Sequence, residues 1–411
     1  MRVERADVVI TGAGPSGSIA AGMLRRQGRQ VLVLERETFP RFSIGESMLP
    51  QIMTYVEEAG MLRDVVQAGF QFKNGANFTW GGRRTDFDFR DKFGEGWGTT
   101  YQVQRGRFDK VLADAAARQG ADVRFRHEVQ AVEVGDAPSL TVKNLESGEV
   151  FRVETKLILD ASGFARLLPR LLDLELPSNF PVRQAFFTHV QDNIGRADNF
   201  DRDKIRIVVH PVRPDVWYWL IPFSDGRMSV GVVAAAEYLD RYQGTETEKL
   251  RALIDEDPET KAVLSNAVWD TPARTLRGYA SNVKRLCGPG YALLGNAGEF
   301  LDPVFSSGVT IAMTSSHLAV KCAVKQLDGQ PVDWEREYSK PLKKGVDTFR
   351  AFVEAWYRGG FQNIIFHPTP DPEIRRCVCA ILAGYAWNEK NPYVAEPRRV
   401  SVLEEICAPR S

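Results

Sequence analysis

The first forty residues contain two short apolar runs separated by a glycine-rich turn and an alanine-rich segment. Residues 6–10 (ADVVI) form a compact β-branched run, typical of a buried strand, and residues 31–37 (VLVLERE) repeat the pattern. The segment between them is rich in helix-forming residues. The order strand, turn, helix, strand predicts an α/β fold at the start of the chain.

Two later regions have the pattern of β-sheets. Residues 72–89 (FKNGANFTWGGRRTDFDF) have alternating character around a Gly-Gly turn, and residues 204–236 contain three apolar runs separated by Pro, Asp and Gly. We expect consecutive strands of an antiparallel sheet from these regions. From Ile311 onward the pattern becomes helical, and we expect Pro341 to kink or interrupt the second of these helices.

The composition excludes several classes of partner. The 411 residues contain 53 Lys and Arg against 53 Asp and Glu, so no net charge favours nucleic acid or an anionic membrane. No apolar stretch approaches roughly 18 residues, and the N-terminal run leads straight into a glycine motif, so we expect neither a membrane segment nor a signal peptide. The five cysteines are odd in number and lack the spacing of a disulfide framework, which favours a reducing compartment, and we expect a cytoplasmic protein. Three histidines are isolated, without the spacing of a metal site: His189, His210 and His317.

The glycine-rich turn has the spacing of a dinucleotide-binding motif. Gly12, Gly14 and Gly17 follow the G-x-G-x-x-G pattern between the first strand and the first helix. Glycine allows the tight turn, the close approach of a pyrophosphate and the packing of helix on strand. Glu35, at the end of the second strand, provides a carboxylate for the ribose hydroxyls of an adenosine.

Three further segments identify the dinucleotide. Residues 103–116 (VQRGRFDKVLADAA), 157–170 (LILDASGFARLLPR) and 291–309 (YALLGNAGEFLDPVFSSGV) resemble, in order, motifs of the flavoprotein hydroxylase superfamily. The resemblance implies FAD as the cofactor, although Asn296 stands where the family usually has an aspartate. The cofactor-binding residues implied by the motifs are Gly12, Gly14, Gly17, Glu35, Arg41, Arg105, Asp160, Gly295, Asn296 and Gly308.

The order of the motifs implies a discontinuous FAD-binding domain of the Rossmann-like, hydroxylase type, interrupted by β-sheet segments and followed by helices. We expect this domain to be built from residues 1–70, 100–170 and 275–330. The inserted antiparallel β-sheet substrate domain then comprises residues 71–99 and 171–274. The short C-terminal helical region comprises residues 331–411.

One aromatic strand separates this chain from the hydroxylases. Trp217, Trp219, Ile221 and Pro222 match the W-x-W-x-I-P motif of flavin-dependent halogenases, and Lys73 matches the lysine that those enzymes place between flavin and substrate. The chain therefore resembles the halogenases that act on phenols, pyrroles or polyketide-like substrates. The resemblance implies that reduced FAD, O2 and chloride or bromide generate hypohalous acid, which Lys73 holds near the substrate. Strand alternation would place both tryptophans on one face.

Other segments refine this resemblance. Residues 39–50 (FPRFSIGESMLP) resemble the flavin-side segment of the same group, which implies that Glu46 and Ser47 lie where the flavin joins the substrate tunnel. Backbone N–H groups around Ser307 and Gly308 could bind the halide, since a helix is expected to begin there. Phe305 stands where tryptophan halogenases have an acidic residue, which favours a ring that is already electron-rich, either small or bound to a carrier protein.

The predicted function is therefore an FAD-dependent halogenase. Because the sequence has a single dinucleotide motif, we expect a separate flavin reductase to supply FADH2. Three alternatives stay open at the level of sequence: an FAD-dependent reductase or dehydrogenase of the geranylgeranyl-reductase type, a monooxygenase, and an FAD-binding protein without catalytic activity.

Overall fold

A computed structural model describes residues 1–195 and 200–408. Residues 196–199, in the predicted substrate domain, and residues 409–411, in the predicted C-terminal region, lie outside the described residues.

The structure is an α/β fold with two large sheets. The strands, in chain order, are β1 (Val3–Thr11), β2 (Val31–Leu34), β3 (Gln71–Lys73), β4 (Gly75–Trp80), β5 (Arg83–Asp88), β6 (Thr100–Gln102), β7 (Asp122–Arg124), β8 (His127–Glu133), β9 (Ser139–Asn144), β10 (Val150–Asp160), β11 (Glu175–Leu176), β12 (Arg183–Gln191), β13 (Lys204–Val209), β14 (Trp217–Pro222), β15 (Arg227–Ala235), β16 (Arg274–Arg277), β17 (Asn282–Val283), β18 (Cys287–Gly288) and β19 (Tyr291–Leu293).

The helices lie on both sheets and form the C-terminal part of the chain. In chain order they are α1 (Pro15–Arg26), α2 (Ile52–Glu58), α3 (Leu62–Gln67), α4 (Arg105–Arg118), α5 (Leu167–Leu171), α6 (Ala236–Leu239), α7 (Glu246–Asp255), α8 (Pro258–Val263), α9 (Ser307–Leu327), α10 (Lys340–Arg358), α11 (Gly360–Ile365), α12 (Pro372–Leu382), α13 (Pro392–Ala395) and α14 (Arg399–Ile406).

The first sheet is built around the N-terminal strand. β1 pairs in parallel with β2 and β10, and the parallel pairing continues outward to β7 and β19. Val8 and Ile10 belong to the main hydrophobic core, whereas Val9 faces a second cluster on the opposite side. Burial on both faces explains the continuous apolar run of the first strand, which confirms the α/β prediction.

The second sheet has the strand order β16-β12-β15-β14-β13-β4-β5. The three strands predicted within residues 204–236 are present and antiparallel, and β4 and β5 form the predicted hairpin. The expectation of a wholly antiparallel sheet is wrong at one place, because β4 pairs with β13 in parallel. A parallel pair requires a long connection, and the residues between β4 and β13 provide it.

Alternation along β14 divides its side chains between two cores. Trp217, Trp219 and Ile221 face the main core. Tyr218 and Leu220 face a third hydrophobic cluster, distinct from the one that Val9 faces, which includes residues of α7. The prediction that both tryptophans share one face is confirmed.

The C-terminal helices pack onto the main core. Pro341 lies in the first turn of α10, directly after a π-helical turn at Glu335–Ser339, so the predicted interruption is confirmed. Phe352 and Trp356 of α10 are fully buried. Within residues 1–195 and 200–408, no helix is long and apolar enough to cross a membrane.

Candidate active site

A cavity of about 510 Å³ lies between the two sheets. Its walls come from the glycine-rich turn after β1, the end of β2, the segment 41–47, the start of α4, the turn after β10, strands β13 and β14, and the start of α9. The motifs that are far apart in sequence therefore meet around one space.

The three glycines have separate structural roles. Gly12 has φ +99°, and a Cβ there would lie 2.5 Å from Ala161 O. At Gly17 a Cβ would lie 2.0 Å from Gly12 O, which shows how closely α1 packs on the turn. At Gly14, by contrast, the only neighbour of a Cβ would be Arg41 Nη2 at 3.5 Å, and Gly14 borders the cavity. The middle glycine thus leaves room for a ligand at the start of α1, as a pyrophosphate site requires.

Charged groups surround the same end of the cavity. Glu35 accepts hydrogen bonds from the backbone N–H of Ala13 and of Glu37, both at 2.9 Å. Arg41 lies 3.6 Å from Glu35 and 3.7 Å from Asp109. Its Nε atom is buried without a hydrogen-bond partner among the described residues. An unpaired guanidinium donor beside a helix N-terminus fits a phosphate oxygen.

Arg105 fixes the segment that borders the middle of the cavity. Its Nε and Nη2 donate to the carboxylate of Asp109 at 2.7 and 3.0 Å, and its Nη1 donates to Ile44 O at 2.6 Å. The pairing with Asp109 is bidentate, which holds the guanidinium in one orientation. Arg105 itself borders the cavity, and it anchors the residues that lead to Glu46 and Ser47.

Three of the predicted cofactor residues lie behind the wall. Asp160 is fully buried and accepts hydrogen bonds from Thr11 Oγ1 and from the backbone N–H of Ser162 and Leu168, at 2.8 to 2.9 Å. Burial raises the pKa of Asp160. The residue shapes the turn after β10. Gly17 and Gly295 likewise do not border the cavity, whereas Asn296 and Gly308 do.

The tryptophans of β14 form one wall. Trp217, Trp219 and Ile221 border the cavity, together with side chains of β13, but Pro222 does not. Trp219 Nε1 donates to Ser229 Oγ at 3.0 Å, and a Cβ at Gly231 would lie only 2.2 Å from the Trp219 ring. The neighbouring strand therefore holds the indole in place against a glycine.

Lys73 lies on the far side of the cavity wall. Its side chain is fully buried, with an exposure of 0%, and it does not border the cavity. Lys73 Nζ donates to Ser47 Oγ and to Met48 O, both at 2.7 Å, and lies 5.3 Å from the centre of the Phe89 ring. Burial lowers the pKa of Lys73 to about 7. Ser47 borders the cavity, so its hydroxyl connects Lys73 to that space.

The start of α9 forms another part of the cavity wall. Ser306 has φ +55° and precedes the helix without a side-chain cap, so the first N–H groups of α9 lack side-chain acceptors. Gly308 borders the cavity, and Ser307 is buried beside it. Phe305 points elsewhere, into an aromatic cluster with Phe361 at 5.1 Å and Trp356 at 5.9 Å between ring centres.

A hydrogen-bonded chain connects the tryptophan wall to the C-terminal helices. Trp217 Nε1 donates to Tyr357 Oη at 3.1 Å, and Tyr357 Oη donates to Asp302 at 2.8 Å. Tyr279 Oη also donates to Asp302, at 3.1 Å. Burial raises the pKa of Asp302 to about 6. Asp302 lies within the 291–309 motif, whereas nothing in the sequence indicated its tyrosine partners.

Sequence reasoning missed one ion pair at the cavity. His189 Nε2 lies 2.7 Å from Glu46 Oε1, and Glu46 borders the cavity with an exposure of only 4%. His210 and His317 likewise pair with a glutamate, Glu256 at 2.8 Å and Glu58 at 2.6 Å. Each pair joins residues that are distant in sequence. Among the described residues, no cluster of side chains is suited to a metal ion.

Residues 5–330 match the family described as FAD binding domain. Among curated proteins, the chain is 29% identical over 429 residues to the 1H-pyrrole-2-carbonyl-(peptidyl-carrier protein) chlorinase of Pseudomonas fluorescens, covering 96% of this chain and 92% of that protein. Among solved structures, a flavoprotein/dehydrogenase from Cytophaga hutchinsonii is 41% identical, with a TM-score of 0.94 and coverage of 98% and 99%. The flavin-dependent brominase Bmp2 is 25% identical, with a TM-score of 0.84 and the same coverage.

Proposed function

This chain belongs to the flavin-dependent halogenases of the FAD binding domain family, and on that basis we propose that it halogenates an electron-rich ring with chloride or bromide. FAD is the cofactor, and when bound and reduced it would supply two of the four electrons that reduce O2, the other two coming from the halide as it is oxidised to hypohalous acid. The observation that carries the proposal is Lys73, which is fully buried and connected to the cavity through Ser47.

The residues around the cavity fit FAD from one end to the other. The N-terminus of α1 and the unpaired Nε of Arg41 would hold the pyrophosphate, and Glu35 would hold the ribose of the adenosine. Asn296 and the start of α9 would hold the flavin end. The space left by Gly14 supports this orientation.

The halide site would lie at the start of α9. Backbone N–H groups around Ser307 and Gly308 lack side-chain acceptors, and the positive end of the helix dipole favours an anion there. A Cβ at Gly308 would lie 3.0 Å from the Phe300 ring, so glycine lets the helix approach the cavity closely.

The tryptophan wall supports a reaction in which only a small oxidant leaves the cavity. Trp217 borders the cavity on one side and packs on Trp356 on the other, with 6.5 Å between ring centres. An organic ring kept outside this wall would not contact the flavin. Because Lys73 lies behind Ser47, hypohalous acid would have to pass Ser47 to hydrogen-bond to it. With a pKa of about 7, a large fraction of the lysine side chains is neutral and nucleophilic at neutral pH.

The residue at position 305 favours a substrate that needs no carboxylate base. Phe305, whose ring lies in an aromatic cluster, stands where the resemblance implies an acid in tryptophan halogenases. A phenol or pyrrole carries its own electron-rich carbon, and the name of the Pseudomonas fluorescens relative specifies a pyrrole on a carrier protein. We therefore propose either a small ring or a carrier-tethered ring as substrate, with FADH2 supplied by a separate flavin reductase.

The experiment combines the protein with FAD, a flavin reductase, NADH and bromide, and screens phenols, pyrroles and carrier-bound pyrroles for a halogenated mass. Lys73→Met should abolish halogenation while the FAD dissociation constant stays within about twofold. Lys92→Met is the matched control, since Lys92 is also buried but bonds only to the backbone of Gly94 and Gly96. Full halogenation by Lys73→Met would remove Lys73 from the mechanism.

A second candidate function is favoured by the structural relative from Cytophaga hutchinsonii, which is described as a flavoprotein/dehydrogenase and is 41% identical to this chain. In that case the protein would transfer electrons between FAD and an organic substrate without halide. Oxidation of NAD(P)H or reduction of a double bond by the protein alone, with no brominated product, would favour this alternative.

A further inference from the structure

The Glu46–His189 pair lies between solvent and the FAD cavity. Glu46 Oε1 lies 2.7 Å from His189 Nε2, and Glu46 Oε2 has no hydrogen-bond partner among the described residues. Glu46 borders the cavity, whereas the His189 side chain keeps 19% of its surface exposed. The pair therefore touches the reaction space at one end and water at the other.

The proposed reaction needs such a connection. Halogenation of a ring R–H with halide X⁻ follows FADH2 + O2 + X⁻ + H⁺ + R–H → FAD + R–X + 2 H2O, so one proton is consumed for each product. On the side of β14 the cavity is walled by the apolar side chains of Trp217, Trp219 and Ile221, which cannot supply a proton. A titratable pair that reaches solvent can.

We propose that His189 and Glu46 form a proton-transfer pair that delivers this proton, an inference that rests on the proposed halogenase function. The His189 imidazolium transfers its Nε2 proton to Glu46 Oε1, which leaves a neutral imidazole and a carboxylic acid. Rotation of the carboxyl group then turns the protonated oxygen toward the cavity, where Glu46 releases that proton and returns to a carboxylate, and His189 takes a new proton from water. Ser47, the next residue, connects the same wall to Lys73.

The remaining groups around His189 leave Glu46 as its carboxylate partner. Phe223 and Phe42 pack on the ring at 5.2 and 6.0 Å between ring centres. The nearby charges are Arg227, whose Nη2 lies 3.4 Å from His189 O and which pairs with Asp270, and Arg274, which lies over Phe42. Asp270 is engaged by Arg227, so Glu46 is the carboxylate that contacts the imidazole.

Two substitutions separate proton transfer from a structural role. In His189→Gln the amide can still donate a hydrogen bond to Glu46 but cannot pass on a proton, so kcat for halogenation should fall about 100-fold with the FAD dissociation constant within about twofold. His189→Ala should regain activity with added imidazole. Glu46→Gln should cost about as much as His189→Gln, and the double variant little more, because the pair acts as a unit.

His210→Gln is the matched control, since His210 also pairs with a glutamate but packs on Tyr218, on the other face of the sheet. It should keep the wild-type rate. In the FAD-free protein, NMR should detect a hydrogen-bonded His189 imidazole N–H that Glu46→Gln weakens. Product from His189→Gln at the wild-type rate, no rescue by imidazole, or no such N–H signal would overturn the pair alone. Absence of product from the wild type would overturn the halogenase function and the pair with it.

Discussion

Replacing Lys73 with methionine should remove a pH dependence of stability that the buried lysine creates. Burial lowers the pKa of Lys73 from 10.5 to about 7 in the folded protein, whereas the unfolded chain keeps the ordinary value. Between these two pH values the unfolded chain binds a proton that the folded protein does not. The free energy of unfolding contributed by Lys73 therefore rises as the pH rises from about 7 toward 10.5. Below pH 7 the folded protein carries the full cost of the buried charge.

The magnitude follows from the two pKa values. Their difference corresponds to about 5 kcal/mol at 1.36 kcal/mol per unit. The hydrogen bonds from Lys73 to Ser47 and Met48 stabilise the ammonium, so this figure is an upper bound. Between pH 7 and pH 9 the contribution should change by about 2 kcal/mol.

The assay is urea unfolding of wild type and Lys73→Met at pH 7, 8 and 9, followed by fluorescence. The free energy of unfolding of wild type, minus that of the variant, should rise by about 2 kcal/mol across this range, because the other titrating groups are common to both proteins. Lys390→Met removes an exposed lysine and is the control, with a constant difference expected. A constant difference for Lys73→Met as well would refute the lowered pKa and, with it, the neutral amine at pH 7.

Three further predictions test other parts of the site. Gly12→Ala places a Cβ 2.5 Å from Ala161 O at a positive φ and should weaken FAD binding more than about tenfold by fluorescence titration, whereas Gly28→Ala, at φ +74° with no neighbour within 4 Å, should not. Burial raises the pKa of Asp302 from 3.8 to about 6, so the free energy of unfolding falls as the pH rises from about 4 to 6. In urea unfolding, Asp302→Asn should remove up to about 3 kcal/mol of this decrease. The same decrease in the variant as in wild type would contradict the raised pKa. Phe305→Ala should lower the free energy of unfolding by about 3 kcal/mol without changing FAD affinity, because the ring packs in the aromatic cluster and not on the cavity.

The sequence was most informative where a requirement is local. The glycine spacing depends on a turn of a few residues, and the positions of Gly12, Gly14 and Gly17 follow from it. The common face of Trp217 and Trp219 follows from the two-residue period of a strand. Both features were predictable because the residues that create them are neighbours along the chain.

Features that depend on distant contacts were not predictable. The parallel pairing of β4 with β13 requires knowing which edge of the sheet the hairpin joins. His189 gains its significance only from Glu46, more than a hundred residues earlier. The sequence placed Lys73 at the site by resemblance, but its complete burial follows from the packing of β3 against β6 and of Phe89 beside it. Alternation and spacing contain no information on such pairings.

The helices α10 and α11, which pack behind the tryptophan wall, follow the whole cofactor pocket along the chain. The last residue that borders the FAD cavity is Ala312, whereas the side chains that cover Trp217 from behind, such as Trp356 and Tyr357, belong to α10, which begins at Lys340. A ribosome adds roughly 5–20 residues per second, so every residue of the cofactor pocket is made before its outer cover. The side chains that pack behind Trp217 are therefore synthesised after the residues of the pocket. A chain that stops before α10 would lack these aromatic side chains.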